Sequence, residues 1–252
     1  MRRVQYSLLL LLLLGAAATS AGSPEGRLLD GQAAEIGSHP YSVSLQRQGV
    51  HVCGGALISN KVCLTAAHCV TGGGIESYPP RSFLVRVGSI QRLAGGQLAQ
   101  VDRIVVHKEY ANGLNDLALI VLQQPLTLNA NIQPIPLASQ VPPAGAEITY
   151  TGWGALSNQG PLSHRLQVGS RKAISAADCQ KQLYLDNEGL LCLVSASEAS
   201  SNGICLGDAG APAVYKDELV GIGGFLVDIC GSSMPNGFMN IVHYQDWIKA
   251  NM

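Results

Sequence analysis

Strand-length apolar runs separated by turn residues recur from one end of this chain to the other, and that pattern leaves little room for anything but β structure. Ser42-Val43-Ser44-Leu45-Gln46 alternates polar and apolar, as a half-buried strand does. His51 to Ile58 is a second run, and its Gly54-Gly55 pair marks a place where another backbone comes close. Ser59-Asn60-Lys61 turns the chain and Val62-Cys63-Leu64-Thr65 returns it. Ser82 to Val87, Arg103 to Val106, Leu117 to Leu122 and Glu147 to Tyr150 read as further strands. The 29 glycines and 12 prolines supply the punctuation, and Thr71 to Arg81 is a loop. Pro134, Pro136, Pro142 and Pro143 mark a boundary between two halves. Only the tail looks helical, with Ile241, Tyr244, Trp247 and Ile248 on one face.

A chain of 252 residues with a net charge of -1 and 13% charged residues has no basic run. Nothing in it marks a nucleic-acid or acidic-surface binder. Its front is a targeting segment: Arg2 and Arg3, then the apolar run Leu8 to Leu14, then small residues with a cleavage position after Ala21. That run is too short to cross about 30 Å of hydrocarbon. Residues 1–21 are therefore expected to be a signal peptide, and the mature chain a secreted, soluble one without a membrane segment. Secretion permits disulfides among Cys53, Cys63, Cys69, Cys179, Cys192, Cys205 and Cys230. Spacing alone does not connect them, and an odd one is left over. No CxxC or HExxH is present, and Glu76 is the only acid between Thr71 and Arg81, so neither a metal nor a cofactor is expected.

Four motifs stand in a telling order: Thr65-Ala66-Ala67-His68-Cys69, Asn115-Asp116-Leu117-Ala118-Leu119, Thr151-Gly152-Trp153-Gly154 and Gly207-Asp208-Ala209-Gly210-Ala211-Pro212. Alone, a histidine beside a cysteine is more often structural, and an aspartate after Asn115 more often a turn residue. Together, from Leu28 to Met252, the chain resembles the trypsin/chymotrypsin-like serine proteases. The resemblance implies two six-stranded antiparallel β-barrels packed together, with a C-terminal α-helix. It implies a short propeptide at 22–27 and a protease-like domain at 28–252. His68 would be the general base and Asp116 the residue that orients it, the roles these positions have in the family's triad. Backbone N–H groups of Gly207 and Ala209 would form an oxyanion hole. Family bridges would join Cys53 to Cys69, Cys179 to Cys192 and Cys205 to Cys230. Cys63, between Val62 and Leu64, would remain as a buried, inert thiol. Activation would cut between Arg27 and Leu28 and bring the new amine to Asp208. Leu28 and Asp30 stand where the family usually has isoleucine and glycine.

The departures matter more. Ala209 stands where the resemblance implies the nucleophilic serine, and a methyl group has neither a lone pair nor a proton to give up. Ala211 departs beside it. Gly203 stands where trypsin-like members carry the aspartate of the specificity pocket. Ile204 follows where small or hydroxyl residues are usual, Leu226 would intrude on the pocket mouth, and Asn236 replaces a wall glycine. The expectation is a partly filled pocket; the plainer alternative is an elastase-like pocket for small side chains. Cys205 is the nearest thiol, but its implied bridge removes it as a substitute nucleophile. The function expected is that of a secreted, monomeric, non-catalytic protease homologue. It would bind protein partners as a decoy for inhibitors, a cascade cofactor or a recognition protein. The alternative is a serine endopeptidase with weak or unusual activity.

Overall fold

The computed structural model describes residues 31–111, 113–185, 188–196 and 203–252. The expected signal peptide, the short propeptide and the Arg27–Leu28 junction lie outside these residues. A two-residue strand, β1 (Gln32–Ala33), precedes the first barrel, which is built from β2 (Ser42–Arg47), β3 (Val50–Leu57), β4 (Val62–Thr65), β5 (Phe83–Val87), β6 (Gln97–Val106) and β7 (Ala118–Leu122). These close in the order β2-β3-β4-β7-β6-β5, with β5 pairing back onto β2. The second barrel holds β8 (Glu147–Gly152), β9 (Gln167–Ala173), β10 (Leu190–Val194), β11 (Pro212–Tyr215), β12 (Glu218–Phe225) and β13 (Asn236–Asn240). Its order is β9-β10-β13-β12-β11-β8, closed by the β8–β9 ladder, and β1 pairs with the start of β9, where β10 does not reach. Every ladder between these strands is antiparallel. The proline-rich connection runs between β7 and β8, that is, between the barrels.

Side-chain alternation decides what each strand buries. On β5, Phe83, Val85 and Val87 point into the first barrel, while Leu84 and Arg86 stay half-buried. β7 is buried along its whole length because both of its faces have a partner. Ala118, Ile120 and Leu122 enter the core of their own barrel. Leu119 and Val121, with Leu117 just before the strand, face the second barrel and meet Val214, Ile222 and Met239 there. β4 does the same, with Cys63 turned inward and Val62 and Leu64 turned to the seam. Full burial of each such aliphatic side chain stabilises the fold by about 1.5–3 kcal/mol. A continuous apolar run therefore signals a strand trapped between two cores, and it fixes the seam where the candidate site lies.

Two features depart from expectation. β6 begins at Gln97 and not at Arg103, because its first half is held by backbone pairing to β5 (Leu84 opposite Gln100, Val87 opposite Gln97) and buries little. The tail is also not the only helix. Besides α2 (Ile241–Asn251), the chain forms α1 (Ala176–Leu183). Ser175 caps α1 by accepting from Asp178 N at 3.1 Å. Only Cys179 of α1 is buried, so the helix leaves almost no apolar periodicity to read. In α2 the expected face is the buried one: Ile241, Tyr244 and Ile248 enter the inter-barrel core, with Trp247 against it.

Three disulfides join Cys53 to Cys69, Cys179 to Cys192 and Cys205 to Cys230. In the chain-entropy account each contributes roughly 3 kcal/mol. Cys63 is free and buried, and burial pushes its thiol up to about 12, so almost no thiolate forms near neutrality.

Candidate active site

Antiparallel register brings His68 and Asp116 together. Thr65 of β4 lies opposite Ala118 of β7, so the chain running forward to His68 and backward to Asp116 leaves the same end of the same strand pair. His68 sits in a short 3₁₀ turn, Ala67–Cys69, which the Cys53–Cys69 bridge ties to β3. The Asp116 carboxylate, 2% exposed, makes two bonds to that turn. Oδ1 accepts from His68 N at 2.8 Å and Oδ2 lies 2.6 Å from His68 Nδ1. The preceding Asn115 takes a left-handed conformation, and Tyr244 of α2 donates to its Oδ1 at 3.0 Å. The C-terminal helix thus steadies the turn that carries Asp116, a role that its sequence does not announce.

Burial lowers the His68 pKa, while the hydrogen bond and negative charge of Asp116 raise it, and the outcome is a raised value. A raised value in the folded state means that the charged ring adds stability below the ordinary value of about 6.5, and that this contribution is lost as pH rises through the folded value. In an NMR titration, Asp116→Asn should move the His68 midpoint below about 6.5, because a neutral amide no longer offsets desolvation. An unchanged midpoint would mean that Asp116 does not set the charge of this ring.

The loop before β11 docks on the same seam. Ala209 O accepts from Gly54 N of β3 at 2.7 Å, which is the close backbone approach that Gly54-Gly55 signals. Gly210 has φ +80, and a Cβ there would collide with Gly54 O. Asp208 is 1% exposed and accepts from Gly154 N at 2.7 Å and Cys205 N at 2.9 Å. Burial pushes its carboxyl up to about 7 against those two bonds. Glycine at 152 and 154 follows directly, since the Asp208 carboxylate fills the space of their missing side chains. The N–H groups of Asp208, Gly210 and Ala211 are bonded to Cys205 O, Gly223 O and Asp208 O. Those of Gly207 and Ala209 make no backbone hydrogen bond among the described residues. His51 holds the other side of the loop: its Nε2 donates to Gly207 O at 3.1 Å, with Ser44 Oγ 2.8 Å from Nδ1. Burial pushes His51 down to about 4, so it stays neutral, in the tautomer that this bond requires. Cys53, His68 and Cys69 lie close together, but both sulfurs are in the bridge and leave no thiolate for a metal.

Gly203, Ile204 and Asn236 meet around a residue that the motifs did not single out. Arg171 of β9 is fully buried. Its Nη1 donates to Asn236 Oδ1, and its Nη2 to Ser195 Oγ at 3.0 Å, Ser232 O at 3.1 Å and Met234 O at 3.4 Å. A Cβ at Gly203 would lie 2.7 Å from Arg171 Nη1. The guanidinium therefore occupies the space that a side chain at 203 would need. Ile204 is 2% exposed and donates its N–H to Asn236 Oδ1 at 3.1 Å. Leu226 is half-buried, packed on the cluster that contains Ile204 and on the Cys205–Cys230 bridge. The only sequence signal for Arg171 is phase, because it shares the inward face of β9 with Gly169 and Ala173.

The trypsin family model matches residues 28–248. Serine protease SP24D of Anopheles gambiae is 36% identical over 226 residues, covering 90% of this chain and 81% of that protein. Trypsin of Phaedon cochleariae is 32% identical over 235 residues, with coverage of 90% and 89%. Among solved structures, neuropsin, a serine protease expressed in the limbic system of mouse brain, superposes with a TM-score of 0.79 at 28% identity, over 88% of this chain and 99% of that one. With two closed barrels, a histidine and an aspartate joined at their seam, and relatives that match it nearly end to end, the chain belongs to the trypsin family of serine proteases and their homologues.

Proposed function

We propose that this protein is a secreted, non-catalytic member of the trypsin family that acts by binding other proteins. One observation carries the reading: residue 209, between Asp208 and the docked Gly210, is an alanine, so this position offers His68 no hydroxyl to deprotonate. His68 and Asp116 are then a vestigial base and its orienting partner, and the Gly207 and Ala209 N–H groups a vestigial oxyanion hole. The fully buried Arg171 supports the same reading, since it fills the base of the pocket that would seat a substrate side chain. Three disulfides suit an oxidising compartment. The mature form is a monomer of residues 28–252, after loss of a signal peptide at 1–21 and cleavage after Arg27. Its partners are proteases, protease inhibitors or a recognised protein ligand.

The test is incubation of the purified protein with a panel of protein inhibitors of serine proteases, and separately with a serine-directed phosphonate. Reversible capture of at least one inhibitor is expected, with no covalent adduct and no turnover of peptide substrates. A covalent adduct on the wild-type chain, with contaminating enzymes excluded, would overturn the reading.

A further inference from the structure

A cleft of about 440 Å³ opens away from the candidate active site, between residues 90–94 and residues 164–165. None of the residues assigned to that site lines it. Its volume lies in the range of pockets that seat a ligand, roughly 300–1,000 Å³. One wall belongs to the β5–β6 connection of the first barrel, and the other to the segment that leads into β9 of the second. Backbone ties the walls together. Gln91 bridges Arg165 in antiparallel register, Arg92 N donates to His164 O at 3.0 Å, and Leu166 N donates to Ile90 O at 2.6 Å. Two buried side chains hold the first wall from beneath: Trp153 Nε1 donates to Ile90 O and Gln46 Nε2 to Arg92 O, each at 3.0 Å. The shape of the cleft is therefore fixed by the fold.

A guanidinium stands on each wall, Arg92 on one and Arg165 on the other. Arg92 is pinned at both ends, because its O accepts from Gln46 and its Nε donates to Ser163 O at 3.0 Å. Its two Nη atoms donate to no described residue, and the hydrogen bonds of Arg165 all use its backbone. Burial lowers the Arg92 pKa, the direction in which an incomplete hydration shell acts on a cation. Leu93, 44% exposed, and the half-buried Ile90 line the same cleft. A partly dehydrated guanidinium takes a carboxylate through paired N–H bonds. Because Arg92 is already oriented, less side-chain freedom is lost on binding. The aliphatic groups beside the charges decide the class of anion. A peptide carries acidic and apolar side chains on one backbone, whereas a sulfated polysaccharide repeats its charge and brings no aliphatic side chain to Leu93.

We propose that this cleft is a docking site for an acidic segment of a protein partner, with aspartate or glutamate carboxylates on Arg92 and Arg165 and a neighbouring apolar side chain on Leu93. The proposal rests on the protein-binding role above and gives it a place outside the substrate pocket; it does not depend on the loss of catalysis.

The experiment selects a phage-displayed library of random hexapeptides on the purified wild-type protein, after depletion on the double variant Arg92→Gln/Arg165→Gln. An enriched peptide, and its isostere with Asn and Gln in place of Asp and Glu, are then titrated by calorimetry beside a sulfated octasaccharide. Enriched sequences should set an acid next to a large apolar residue. The acidic peptide should bind the wild type at least about tenfold more tightly than its isostere, from the worth of hydrogen bonds to charged groups. The double variant should lose that preference. Octasaccharide binding that needs both arginines, with no acidic peptide enriched, makes the ligand another class of polyanion and overturns the proposal. Failure to enrich any acidic peptide, equal affinities for the two peptides, or an acid preference that survives in the double variant overturns it too. Where the double variant does not fold, the exposed Arg165→Gln serves alone: a weakened acid preference supports the site, and an unchanged one overturns it. Covalent labelling of the wild-type chain would sink the non-catalytic reading and leave this site untouched, so the two failures are distinguishable.

Discussion

Ala209→Ser is expected to react covalently with a small phosphonofluoridate while remaining inert toward arginyl and lysyl esters. The first half follows from what is already assembled. His68 Nδ1 is 2.6 Å from the Asp116 carboxylate, so the ring is oriented, and Nε2, with only the weak acceptor Cys69 Sγ at 3.8 Å beside it among the described residues, is the nitrogen left to take a proton. The Gly207 and Ala209 N–H groups make no backbone hydrogen bond among the described residues and can donate to a developing oxyanion. The new hydroxyl supplies the one missing part. In subtilisin, a protease with the same triad on another fold, loss of the nucleophile costs about 10⁶-fold in turnover, so labelling here should rise by at least about 10³-fold over the alanine protein even in an unoptimised site. The second half follows from Arg171. A substrate cation at the pocket base would meet a buried guanidinium, and like charges in a poorly solvated space repel strongly. The measurement is labelling rate by mass spectrometry beside ester hydrolysis. Labelling no faster than wild type would refute the vestigial triad; efficient arginyl ester hydrolysis would refute the charge assigned to the pocket.

Gly154→Ala should be strongly damaging, with a loss of about 3–5 kcal/mol, the range for breaking a buried charge from its partners. The added methyl would occupy the space of the Asp208 carboxylate, which is buried and bonded to Gly154 N and Cys205 N. Displacing the carboxylate breaks both bonds and loosens the loop that presents residues 207–211 to β3. A fall of the melting temperature by roughly 6–20 °C follows for a domain of this size. Gly74→Ala is the control, because nothing lies within 4 Å of the position its Cβ would take. Its effect should stay within about 0.5 kcal/mol, as for an ordinary surface change. Equal melting temperatures for the two variants would show that the glycine cradle does not position Asp208.

Much of this was legible in the chain. Phe83, Val85 and Val87 alternate with half-buried neighbours, and period two is a property of the strand backbone, so which face goes inward can be read locally. The unbroken run Leu117 to Leu122 likewise records burial on two sides. The histidine and aspartate motifs are short and contiguous, and their order alone carries the family likeness. Harder features left weaker local marks. α1 has one buried side chain and is held by its Ser175 cap, and the first half of β6 is held by backbone pairing, which does not depend on which side chains it carries. His51 and Tyr244 act on the site through single hydrogen bonds to Gly207 O and Asn115, partners 156 and 129 residues away.

From residue order alone came the β architecture, the places of His68 and Asp116, and the alanine at 209, because periodicity, short motifs and chemical identity are all properties of neighbouring residues. What fills the pocket was decided only by the folded chain. An arginine on β9 reads in isolation as a solvent-facing side chain. It is buried because β10 pairs with both β9 and β13 and so brings it to Asn236, 65 residues further along, and because Gly203, lacking a side chain, leaves the guanidinium its space. Long-range closure sets which groups share a buried volume, and a charge in that volume acts according to its neighbours there and not according to its neighbours in the chain.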